Sequence, residues 1–142
     1  DRRQRQMCIR DSPESFANAY QSALVEVALP AFARASEFAR EHGLECTVEL
    51  LEGRRHLPEL SLKVRGSCHD PECVCRITAD PQTQRLCHEN RCGDSEADVQ
   101  QVIGSLASLN EMVLDTRLLE FFQSSFALHL DYASSRHAGG FW

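Results

Sequence analysis

The apolar period of this chain changes twice, and each change marks a change of backbone. Phe16, Tyr20, Leu24, Val27, Ala31, Ala35 and Phe38 recur at intervals of three and four, which is one face of an amphipathic helix. From Glu45 the interval falls to two: Cys46, Val48 and Leu50 alternate with Glu45, Thr47 and Glu49, and Leu60, Leu62 and Val64 alternate with polar neighbours. Val99, Val102, Ile103, Leu106, Leu109 and Val113 then return to helical spacing, which continues through Leu118, Leu119, Phe122, Phe126 and Leu130. Helices that bury one stripe, around strands that bury one face, pack as two layers. The expected fold is therefore α+β: an N-terminal helix, a four-stranded antiparallel meander, and a C-terminal helix or helices on one sheet face.

Local signals refine this reading. Ser12-Pro13-Glu14-Ser15 reads as a helix start, with proline in the first turn. Pro30 cannot donate a backbone hydrogen bond, so it is expected to kink or divide the first helix. His42-Gly43 reads as its end. Strands are expected over 45–50, 59–65, 73–79 and 85–90, with turns around Gly53 and at Asp80-Pro81-Gln82-Thr83. Ser95 reads as the cap of the second helical stretch, with a break near Asn110 or Asp115.

Residues 2–12, RRQRQMCIRDS, match position for position the translation of a transposase sequencing adapter, and residues 1–12 are expected not to be native. About 130 residues follow as one domain, enough for a single core. The chain holds 15 basic and 21 acidic residues, a net charge of −6; leaving out residues 1–12 makes it −8. With that charge and no basic stripe, nucleic acid is disfavoured as a partner. No apolar run approaches the roughly 20 residues of a membrane span.

Six cysteines lie beyond the adapter segment, at 46, 68, 73, 75, 87 and 92. Cys68-His69-Asp70-Pro71-Glu72-Cys73 and Cys87-His88-Glu89-Asn90-Arg91-Cys92 echo each other, each a Cys-His-acid start closed by a second cysteine. If Asp80 pairs with Arg85, Cys73 lies opposite Cys92, and Cys75 and His88 share their face. Zinc takes four such soft or borderline ligands, which makes Cys73, Cys75, His88 and Cys92 the candidate set, with Cys68 and Cys87 as alternative ligands. Zinc is the one cofactor these residues point to. Two other readings stand beside it: thiols buried as small hydrophobes, and a cross-strand Cys73–Cys92 disulfide. Five of the six cysteines crowd into residues 68–92, which would staple only a local hairpin, so a reduced cytoplasmic setting is expected.

No phosphate-cradling glycine loop, HExxH or GxSxG motif occurs. Cys87 and His88 are adjacent and would point to opposite sheet faces, which is poor geometry for a catalytic dyad. The acidic helix–sheet–helix order resembles bacterial secretion chaperones at the level of fold class alone, and the strand order is not theirs. That resemblance implies a bacterial adaptor or chaperone. The expected function is accordingly non-catalytic protein–protein binding, to another protein or as a homodimer through the apolar helices, for which Phe121, Phe122 and Phe126 supply apolar surface on more than one side. The alternatives are a zinc-stabilised hairpin domain and a small thiol enzyme. The terminal Gly139-Gly140-Phe141-Trp142 offers two aromatics that could anchor in a partner or pack back on the domain.

Overall fold

The computed structural model describes residues 13–52, 57–66, 70–93, 99–128 and 130. Ser12, the turn at Gly53, Cys68, Ser95 and residues 139–142 lie outside the described residues.

The first helical stretch is divided, as Pro30 requires. Helix α1 (Pro13–Ala23) passes through one π turn (Leu24–Ala28) into α2 (Leu29–Glu41). The Leu29 N–H bonds the Leu24 carbonyl, five residues back. Ala23, Ala28 and Leu29 all keep helical dihedrals, so the chain passes Pro30, the second residue of α2, through a wide π turn and not through a break. His42 and Gly43 close α2. Gly43, at φ 90°, bonds the Arg40 carbonyl, and the Leu44 N–H bonds the Ala39 carbonyl, a Schellman closure.

Five antiparallel strands follow: β1 (Glu45–Glu52), β2 (Pro58–Arg65), β3 (Cys73–Asp80), β4 (Arg85–Cys92) and β5 (Gln100–Gly104), ordered β1-β2-β3-β4-β5. The fifth strand corrects the expected four. Val102 and Ile103 also fit helical spacing, so the sequence alone points to the start of a helix over 100–104. They form a strand because the β-branched pair suits a pleated surface and Gly104 disfavours a helix interior. A short 3-10 turn (Leu106–Ser108) leads to α3 (Glu111–Phe126), which starts at Asn110, whose side chain accepts the Val113 N–H at 2.9 Å.

The sheet's inner face carries Cys46, Leu60, Leu62, Val64, Cys73, Cys75, Ile77, Leu86 and His88, all buried. Alanines 31, 35 and 39 let α2 lie close over β1 and β2, while α3 lies over β3. Phe121 and Phe122 project from α3 in different directions and are both fully buried, as are Phe16, Tyr20 and Phe32. Of the three phenylalanines read as apolar surplus, Phe121 and Phe122 are thus covered within the chain and Phe126 is half-buried. Arg34 of α2 lies 3.8 Å from the buried carboxylate of Asp115 in α3. Tyr20 donates a 2.6 Å hydrogen bond to the Pro58 carbonyl, tying α1 to β2.

On the outer face the charges neutralise one another. Lys63 meets Glu49 at 2.8 Å, and Arg76 and Arg91 both approach Glu89, at 3.9 and 3.7 Å. A cleft of about 520 Å³ opens there between Glu59, Arg76, Asp80 and Arg91, but its arginines are already engaged. This is the pattern of a solvated antiparallel face.

Candidate functional site

The β3–β4 hairpin has the register that the Asp80–Arg85 pairing predicts. Cys73 lies opposite Cys92, Cys75 opposite Asn90, and Ile77 opposite His88. Pro81 starts the turn, Asp80 accepts the Gln82 N–H at 2.9 Å, and Gln84 takes the left-handed conformation before β4. Cys73, Cys75, His88 and Cys92 therefore share the inner face, and Cys87 lies on the outer one.

The sulfurs of Cys73 and Cys92 are bonded to each other, the disulfide among the three readings of this segment. A sulfur in a disulfide is not a thiolate ligand, so a metal on this set requires the bridge to open. Among the described residues, no three or more His, Cys, Asp or Glu side chains converge as a metal cage. Cys68 lies outside the described residues, and Cys87 is separated from Cys73 and Cys92 by the sheet itself.

The environment of the remaining groups is set by burial. The Cys75 thiol is pushed up to about 12, chiefly by desolvation against a weaker pull from the Arg117 guanidinium. Burial also raises Cys46 and Cys87. A nucleophilic cysteine needs the opposite shift, and the thiol-enzyme reading finds no support in these three. His88 is lowered to about 4 by burial and then by the Arg117 charge. It is neutral at pH 7, and its Nε2 lies 2.9 Å from Ser108 Oγ. Gly104 permits that approach, because a Cβ there would stand 2.8 Å from the Ser108 hydroxyl oxygen.

Arg117 escaped sequence reasoning because a single arginine within a helix carries no motif. The available signal was its position beside the apolar stripe, between Leu114, Leu118 and Phe121. Its Nε is buried without a hydrogen-bond partner, and among the described residues the guanidinium has no ion pair. It faces a groove of about 480 Å³, with Asn90, Gln100 and Val102 on the sheet side and Arg117, Glu120 and Gln123 on the α3 side. Among the described residues, α2 packs over β1 and β2 and α3 over β3, while Gln100 and Val102 on the inner face of β5 are exposed, which opens the groove.

The two sheet edges differ. β1 bears Glu45, Glu49 and Glu52 and lies beneath α2. β5 bears no charge, and Val102 and Ile103, on opposite faces of it, are 44% and 60% exposed. Among the described residues its one strand neighbour is β4. No helix of the described residues is long and apolar enough to cross a membrane. No protein-family model, curated protein or solved structure matches the chain.

Proposed function

We propose that this domain is a non-catalytic polypeptide-binding module, adaptor- or chaperone-like, that takes an extended segment of its partner along β5. The observation that carries this reading is the contrast between the edges. A free strand edge is a template for pairing, and folded chains usually blunt it with charge or cover it. Among the described residues, β1 carries three glutamates and its Cys46 carbonyl accepts from Arg40 of α2, whereas β5 carries no charge and no helix is packed closely on it; both strands expose apolar side chains, Leu50 and Leu51 on β1 and Val102 and Ile103 on β5. An added strand takes its affinity from main-chain hydrogen bonds and its specificity from pockets for alternate side chains. The α3–β5 groove is such a pocket.

The setting follows the redox state of one bond. In a reducing cytoplasm Cys73 and Cys92 are open and available to a metal; in an oxidising compartment they stay closed.

A photo-crosslinking amino acid placed at Ile103, with one at Thr47 on β1 as control, tests the docking edge. Irradiation in a lysate of the source cell should join a polypeptide to position 103 and not to 47. A second copy of the chain in the product identifies a homodimer, and a different polypeptide identifies an adaptor. No product at 103, or equal products at both positions, removes β5 as the docking edge.

A further inference from the structure

We infer that the α3–β5 groove is a carboxylate-binding subsite, in which Arg117 receives an acidic side chain projecting from the segment paired along β5. The inference rests on the docking edge proposed above and specifies the chemistry of what docks there.

Among the described residues, Arg117 has no ion-pair partner. A guanidinium has five N–H donors in a planar fork; the Nε of Arg117 is buried beyond a ligand's reach, so the donors that can serve the groove are those on its two Nη atoms. A carboxylate matches the fork with two parallel hydrogen bonds. The side-chain amides of Asn90, Gln100 and Gln123 stand around the same space as further donors.

The sheet register says where the acid would come from. Side chains on the inner face form rows across the strands: Cys75, Asn90, Gln100 in one and Ile77, His88, Val102 in the next. The next member of either row belongs to the strand added beyond β5, about 4.8 Å farther on. Alternate residues of that strand face inward, on the side where α3 presents Arg117. Glu120 lines the same groove, so the local charge suits a monoanion better than a doubly charged phosphate. The chain's net charge of −6 also disfavours an acidic run, so the segment carries one inward acid among neutral or basic residues.

The test uses the full chain and an array of nine-residue peptides of alternating Thr and Val, with Glu, Gln, Lys or phosphoserine at one central position. Wild-type protein should retain the Glu member about tenfold better than the Gln member, with phosphoserine no better than Glu. Arg117→Gln should lose that preference while retaining the Gln member as well as wild type does, and Arg117→Lys should recover part of it. Equal melting temperatures for the three proteins show that the variants fold. A Glu preference that is absent, or that survives in Arg117→Gln, overturns the carboxylate subsite and leaves the docking edge standing. Retention of no member by any of the proteins counts against docking on β5 itself.

Discussion

Cys73 and Cys92 stand directly opposite each other across β3 and β4, with Cα atoms 4.0 Å apart and their sulfurs bonded, at the end of the hairpin away from its turn. The turn at Asp80–Arg85 closes one end, and the bridge closes the other. For the sequence separation of 19, restriction of the unfolded chain is worth about 3 kcal/mol. Reduction, or the pair Cys73→Ala with Cys92→Ala, should lower the melting temperature by roughly 10 °C. Urea unfolding with and without reductant checks this. The same sample tests the metal ligand set: one zinc held per reduced chain and released on re-oxidation is what Cys73, Cys75, His88 and Cys92 require, and no retention retires it.

His88 makes stability depend on pH in a defined window. Its folded value of about 4 lies below the unfolded value of about 6.5, so between them the unfolded chain binds the extra proton. The contribution is complete above pH 6.5, declines as pH falls, and is gone below pH 4. Its full size is about 3 kcal/mol, at about 1.36 kcal/mol for each pH unit between those two values. Urea midpoints at pH 7, 5.5 and 4, measured with chelator present, should fall in that order. In His88→Gln this part of the slope should vanish; an unchanged slope would assign it to other groups.

Ala127 ends α3 at φ 54°, a left-handed conformation in which a Cβ is strained. The residue is exposed and its side chain contributes little packing. Ala127→Gly should therefore stabilise the domain by about 1 kcal/mol, despite the extra freedom glycine gives the unfolded chain. A lower urea midpoint in the variant would contradict this.

Tyr20 sits at 0% exposure with its hydroxyl on the Pro58 carbonyl. Removing the hydroxyl leaves that carbonyl without the bond in a buried setting. Tyr20→Phe should cost about 1.5 kcal/mol, and Tyr20→Ala about 4 kcal/mol by adding a cavity. Chemical denaturation of the two variants beside wild type gives both numbers. Equal costs would mean that ring packing contributes nothing.

Much of this was readable in advance wherever period and turn chemistry agreed. Pro81 with Asp80 sets the β3–β4 register, and that register puts Cys73 opposite Cys92. The fifth strand was missed because Val99, Val102, Ile103 and Leu106 satisfy a helical template as well as a strand does. Gly104 and the Asn110 cap were the discriminating residues, and both act against a helix beginning at Ser95. Missing β5 hid its edge, the bare inner face beside it and the groove. The link from His88 to Ser108 was out of reach for the same reason, because it depends on how the chain returns after β5. Arg117 lies on the groove because close helical cover ends at β3, a fact of packing that no local sequence window contains.

The π turn before Pro30 has a consequence for helical phase. The buried positions Phe16, Tyr20, Leu24, Ala28 and Phe32 are spaced by four throughout. In an ideal α-helix each step of four over-rotates by about 40°, so the three steps from Phe16 to Ala28 would swing the stripe about 120° away from the core. The wider turn at Leu24–Ala28 gives back much of that rotation and keeps both halves facing the sheet. It behaves as a one-residue insertion absorbed by the helix. Were the same residues wound as ordinary α-helix throughout, Phe16 and Tyr20 would lie about a hundred degrees out of phase with the core they now enter, whereas deleting one residue within the turn would restore α-helix and keep that phase.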